Sequence, residues 1–174
     1  MPRRTIAIAA ALSVLALGSP LVTVNANTLA DNLFNSGVGK YQQGNYQGAI
    51  SDYTMAIEIN PELAIAYTNR GNSKNKLGDY QGAIADYIKA LEIKPKDANA
   101  YYNRGIAKYN LKDYQGAIAD YTKAIELDPQ DANAFVNRGV ARELVNDLEG
   151  ACSDWRKAAD LRDVRAAKSV KKFC

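Results

Sequence analysis

From Tyr80 onward, Tyr80, Ala83, Ile84, Tyr87, Ala90 and Leu91 form a stripe with the 3.6-residue period of one helix face. Upstream, Tyr67, Gly71, Lys74 and Leu77 fall at i, i+4, i+7 and i+10, which is a second helical stripe. Gly78-Asp79 between them is a turn signal. Pro95 ends the later helix by withholding a backbone donor, and Asp97 can cap the helix that follows. The pattern predicts two antiparallel helices of about 14 residues each, joined by a short turn.

This unit recurs. Pro61, Pro95 and Pro129 stand 34 residues apart, and 22 of 34 positions are identical between 64–97 and 98–131. Asn-Arg-Gly recurs at 69–71, 103–105 and 137–139, and Tyr-Gln-Gly-Ala-Ile at 46–50, 80–84 and 114–118. One helix pair cannot bury its own apolar stripe, whereas a stack of pairs can.

These residues resemble the tetratricopeptide repeat. Counted from Ala64, the residues Tyr67, Gly71, Ala83, Tyr87, Ala90 and Pro95 occupy the family's signature places, and Tyr101, Gly105, Ala117, Tyr121, Ala124 and Pro129 repeat them. A first unit keeps Gly37, Tyr46, Ala49, Tyr53, Ala56 and Pro61; a fourth keeps Phe135, Gly139, Ala151, Trp155 and Ala158, with Asp163 in place of the closing proline. The resemblance implies an all-α, right-handed α-solenoid of four helix pairs at 30–63, 64–97, 98–131 and 132–163. A capping helix at 164–174 is expected from Val164, Ala167, Val170 and Phe173. Eight tyrosines (46, 80 and 114; 53, 87 and 121; 67 and 101) fall on packing places and are expected in the core. Gly37, Gly71, Gly105 and Gly139 are expected where two helices cross closely.

Met1–Ala26 divides into a basic start at Arg3-Arg4, an apolar run Thr5–Gly18, and a polar exit ending Val24-Asn25-Ala26. This reads as a signal peptide cleaved after Ala26. The apolar run would reach about 21 Å as a helix, short of the roughly 30 Å hydrocarbon core, so a spanning anchor is the weaker reading. The mature chain is expected outside the cytoplasm without a transmembrane segment. Periplasmic or secreted placement is favoured, with a thylakoid lumen as the alternative.

The chain has no histidine, which excludes Ser-His-Asp and Cys-His catalysis and His-ligated metal. From Asn27 onward 20 Lys+Arg face 19 Asp+Glu, a balance that argues against nucleic acid as a partner. With no nucleotide loop or metal cluster, and with Glu58, Glu92 and Glu126 recurring on an outer face, the chain reads as neither an enzyme nor a cofactor protein.

Arg70, Arg104 and Arg138 stand where the repeat family has leucine, and Asp52, Asp86, Asp120 and Asp154 recur at the same period. A charge at a packed place needs a partner. Pairing inside a unit would join Arg70 to Asp86; pairing across units would join it to Asp52. The cross-unit scheme is preferred because unit one has Ser36 in place of the arginine. In that scheme Arg162 or Arg165 would answer Asp154.

The resemblance also implies that the first helix of each pair lines a concave surface. Asn35, Asn69, Asn103 and Asn137 hold the sixth place of the four units. Asparagine is a poor mid-helix residue, and its amide can grip a peptide backbone without demanding one sequence. The set is similar to the asparagine ladder of peptide-binding family members. Phe34, Val38, Tyr41, Thr68, Asn72, Tyr102, Ile106, Tyr109, Val136 and Val140 are the neighbouring groove places. The family's carboxylate clamp for chaperone tails is rejected, since Phe34, Val38, Asn99 and Asn103 stand where lysine or arginine is required. The expected partner is a protein or peptide in this groove. The alternative is an adaptor working through its convex face or a basic cap surface of Arg165, Lys168 and Lys172. Cys152 holds the place that faces the next helix of the stack, which here is the cap ending in Cys174. A Cys152–Cys174 disulfide is therefore expected.

Overall fold

A computed structural model of the chain describes residues 25–174. Except for Asn25 and Ala26, the expected signal peptide lies outside the described residues. Those residues form nine α-helices and no strand: α1 (Ala26–Gln42), α2 (Tyr46–Ile59), α3 (Ala64–Lys76), α4 (Tyr80–Ile93), α5 (Ala98–Asn110), α6 (Tyr114–Leu127), α7 (Ala132–Leu144), α8 (Leu148–Asp160) and α9 (Val164–Phe173). Each helix packs on its neighbours in chain order. The odd-numbered helices also touch across pairs, α1 on α3 and α3 on α5. The array is an all-α solenoid whose inner side is built by the odd-numbered helices.

Local signals set the helix ends. Asn45, Asp79, Asp113 and Asp147 accept the backbone N–H of Gly48, Gly82, Gly116 and Gly150 at 2.9–3.0 Å, which caps every second helix. The preceding turn needs a left-handed residue. Gly44 and Gly78 take it at φ 76° and 82°, but the later units place Lys112 and Asn146 there at φ 64° and 63°.

The core alternates small and large side chains. Tyr53, Tyr87, Tyr121 and Trp155 are buried among Ala49, Ala83, Ala117 and Ala151. Each ring presses on a glycine of the facing helix. A Cβ added to Gly37, Gly71 or Gly105 would lie 2.6–2.8 Å from a tyrosine ring carbon, and one on Gly139 would lie 2.5 Å from Trp155 Nε1. Burying one such aromatic side chain contributes about 3 kcal/mol. Tyr46, Tyr80 and Tyr114 are half-buried, as are Tyr67 and Tyr101. The last two lie beneath Arg70 and Arg104, with guanidinium carbons 5.5 and 5.4 Å from the ring centres. They pack partly under charge rather than wholly in hydrocarbon.

The expected cross-unit ion pairing is corrected. Arg70, Arg104 and Arg138 bind Asp86, Asp120 and Asp154 of their own units, each at 2.6 Å. Asp154 needs neither Arg162 nor Arg165. A second cation four residues along the same helix joins each carboxylate: Lys74, Lys108 and Arg142 at 2.7–2.8 Å. Residues four apart share a helix face, so both cations meet one aspartate. In the first unit Ser36 and Lys40 fill these places, bonding Asp52 at 2.6 and 2.7 Å. Burial alone would raise the Asp52 carboxyl, but the bonds from Lys40 and Ser36 hold it below the usual range. The arginine does reach the preceding unit through its third nitrogen, Nη1, which donates to Thr54 from Arg70 and to Thr122 from Arg138.

α9 closes the end of the stack. Asp163 caps it by accepting the Arg165 and Ala166 N–H groups, and Phe173 packs 5.6 Å from the Trp155 ring. Cys152 and Cys174 are joined by a disulfide with Cα atoms 5.7 Å apart, which ties the last residue to α8.

Candidate functional site

Among the described residues, recesses open at each of the three junctions between successive helix pairs. Between the first two pairs, about 210 Å³ is enclosed by Val38, Tyr41, Tyr53, Asn69 and Asn72. Between the second and third, about 460 Å³ is lined by Tyr41, Asn72, Asn75, Lys76, Tyr80, Asn103, Ile106 and Asn110. Between the third and fourth, about 300 Å³ is bounded by Ile106, Tyr109, Asn110, Tyr121, Asn137 and Val140. Asn69, Asn103 and Asn137 therefore contribute one amide to each recess. Asn35, in the middle of α1, is exposed and lines none of the three.

Several side chains are held by bonds within the array. Asn137 Nδ2 donates to the Tyr102 hydroxyl at 3.0 Å, linking α7 to α5. Tyr102 also lies 5.9 Å from the Tyr121 ring, and Phe34 lies 5.7 Å from the Tyr53 ring. The Tyr87 hydroxyl donates to Asn72 Oδ1 at 2.8 Å, which fixes that amide and leaves its NH₂ group for the recess. Tyr41 and Tyr109 rest against Tyr46 and Tyr114 at ring separations of 5.2 and 5.4 Å. Aromatic packing of this kind fixes rotamers ahead of any ligand. Burial pushes the Tyr53 phenol up to about 12, and raises Tyr87, Tyr102 and Tyr121 as well. All four remain neutral donors and acceptors at physiological pH.

Two expected groove residues are corrected. Thr68 and Val136 are buried; Thr68 bonds back to the Ala64 carbonyl, and Val136 joins the cluster around Trp155. Both side chains are therefore withdrawn from open space. The recesses add Tyr53, Tyr80 and Tyr121 from the second helices, together with Asn75, Lys76 and Asn110. A sequence signal for part of this set existed: Asn75 stands one repeat from Tyr41 and Tyr109, on the stripe that continues Asn69 and Asn72.

On the cap, Arg165 is held by Asp163 at 2.6 Å and donates to Asn133 Oδ1 of α7 at 2.6 Å. Lys172 Nζ sits 4.5 Å from the centre of the Phe173 ring, while Lys168 is exposed. Among the described residues no cluster of three His, Cys, Asp or Glu could hold a metal ion, and no helix is long and apolar enough to cross a membrane.

The comparisons with known proteins agree with this geometry. A TPR repeat profile matches residues 40–77 and 71–112, and a tetratricopeptide repeat profile matches 98–131. The TPR domain of Arabidopsis OM64 is 31% identical, covers 68% of this chain and 98% of its own, and superposes with a TM-score of 0.68. The first TPR of Spaghetti (RPAP3), solved bound to the HSP90 peptide SRMEEVD, is 26% identical over 72% of this chain and 98% of its own, with a TM-score of 0.68. MamA from Desulfovibrio magneticus RS-1 shares the fold at 23% identity, 76% and 75% coverage and a TM-score of 0.73. Among curated proteins nothing matches the sequence.

Proposed function

Because the chain belongs to the tetratricopeptide-repeat family, we propose that it is a non-catalytic interaction module holding an extended peptide or partner helix along its concave face. The observation that carries this reading is the repeated placement of one sixth-position asparagine in each of three successive recesses. Amides spaced along a pre-formed groove can pair with a peptide backbone, and the bracing of Asn72 and Asn137 lowers the ordering cost of binding. A repeat domain of this fold solved bound to a peptide supports a peptide-binding role. An acidic tail such as SRMEEVD is not the ligand proposed here, since clamp cations are lacking at Phe34, Val38, Asn99 and Asn103.

The site of action proposed is outside the cytoplasm, in a periplasmic, secreted or thylakoid-lumenal setting. The leader-like segment Met1–Ala26 supports export, and the Cys152–Cys174 bond suits an oxidising compartment.

The test is affinity capture from an exported-fraction extract. The protein is compared with a variant carrying Asn69→Ala, Asn103→Ala and Asn137→Ala, after circular dichroism shows both folded. A partner retained by the parent and lost from the variant is expected. A partner held equally by both would sink the groove reading and move the site to the convex face or the cap. Reversing Lys168 and Lys172 to Glu would then separate those two surfaces.

A further inference from the structure

We infer that the groove selects an uncharged segment, with an apolar side chain seated between the third and fourth helix pairs and an amide or hydroxyl side chain between the second and third. This rests on the groove reading above and adds the chemistry of its ligand.

The argument starts from where the inner cations go. The helices α1, α3, α5 and α7 carry Lys40, Arg70, Lys74, Lys76, Arg104, Lys108, Arg138 and Arg142. All but Lys76 are bound to the buried carboxylates of Asp52, Asp86, Asp120 and Asp154. The charge on the inner helices is thus spent inside the solenoid, between the helices of each pair. Lys76 alone lines a recess, and it is exposed, so water screens it. The inner-helix acids Asp31 and Glu143 line none of the three recesses.

The walls that remain are amides, phenols and hydrocarbon. A ligand carboxylate or ammonium pressed against them would lose its water and gain no opposite charge, which is unfavourable. Amides and phenols instead match backbone groups and hydroxyl or amide side chains, which present donors and acceptors without net charge. The recesses also differ from one another. Ile106 and Asn110 line both the middle one and the last. Asn72, Asn75 and Asn103 bring the middle one to four amides, whereas Val140 and the Tyr109 and Tyr121 rings join Ile106 in the last, where the Asn137 amide is already bonded to Tyr102. The polar ligand residue therefore belongs in the middle recess and the apolar anchor in the last.

Random decapeptides displayed as a library, selected on the purified protein and counter-selected on the triple asparagine variant, test this directly. Neutral sequences with one large apolar residue and an Asn, Gln, Ser or Thr toward one side are expected. Their Kd should change less than about twofold between about 50 and 500 mM NaCl. Enrichment of peptides with a consistent net charge, or weakening of about tenfold or more over that salt range, would overturn the uncharged-ligand inference while leaving the groove intact as a site. Absence of enrichment over the asparagine variant would overturn the groove reading itself, and this inference with it.

Discussion

The guanidinium of Arg70 grips the carboxylate of Asp86 through two parallel bonds, Nε to Oδ2 at 2.9 Å and Nη2 to Oδ1 at 2.6 Å. Lys74 adds a third contact to Oδ2 at 2.8 Å. One acid therefore serves two cations, and removal of either side is not equivalent. Asp86→Ala leaves both cations at a packed interface without a partner and is expected to cost about 3 kcal/mol. Arg70→Leu leaves Asp86 still paired with Lys74 and should cost less, about 1 kcal/mol. Urea unfolding of the two variants checks the order. Equal losses, or a larger loss for Arg70→Leu, would mean the carboxylate is not the hub.

That lattice also marks where sequence reading stops. The 34-residue period and the helix ends follow from spacing, because each depends on residues a fixed number of places apart. The Cys152 position facing the cap is what the family resemblance implies, and which ring presses on which glycine is seen only in the fold. The partner of Arg70 does not follow from spacing either. Asp86 lies sixteen residues beyond it and Asp52 eighteen before it, equidistant about Gly78 and Pro61 respectively, so chain separation permits either. Rotation of α3 about its own axis decides, and it turns Arg70 and Lys74 together toward α4. The same rotation buries Thr68 and brings Asn75 to the recess, and the corresponding setting of α7 buries Val136. Position in the repeat identifies the inner helix, but not how far each inner side chain is turned toward open space.

The cap should depend on its covalent tie. The disulfide closes a sequence separation of 22 residues. On the chain-entropy model such a loop stabilises by about 3 kcal/mol. A Cys152→Ser, Cys174→Ser variant is expected to lose roughly that amount and to show faster amide exchange in Val164–Phe173. Exchange in α2, at the far end of the array, should be unchanged. Unaltered protection of α9 would show that Trp155–Phe173 packing and the Asp163 cap suffice without the bond.

Stability should fall at both ends of the pH range, for different groups. Burial raises the phenols of Tyr53, Tyr87, Tyr102 and Tyr121 above the ordinary value of 10.0, so the folded state holds these protons more tightly than the unfolded chain. Their contribution is complete below pH 10.0 and is lost as pH rises toward the Tyr53 value of about 12. The Asp52 and Asp163 carboxyls are depressed below 3.8. Lys40 and Ser36 overcome burial at Asp52, and Arg165 with the Ala166 N–H does so at Asp163. Their contribution is present above pH 3.8 and is lost as pH falls through their folded values. Tyrosinate absorbance should show a late-titrating class that merges with the rest when the chain unfolds. A single transition near pH 10 in the folded protein would contradict the burial of these four.

Two glycines of one helix should respond in opposite directions to the same substitution. Gly37 and Gly39 both lie in α1. A Cβ on Gly37 would come within 2.6 Å of Tyr53 Cε1, a ring that is 1% exposed and has little freedom to withdraw. Gly37→Ala is therefore expected to destabilise by about 2 kcal/mol through overpacking. A Cβ on Gly39 meets nothing within 4 Å, so alanine there adds helix propensity alone. Gly39→Ala should stabilise by about 0.5–1 kcal/mol. Chemical denaturation of both variants under one condition separates contact from propensity. If both stabilised the chain, the close approach of α1 to the Tyr53 ring would be wrong, and with it the reason glycine recurs at Gly71, Gly105 and Gly139.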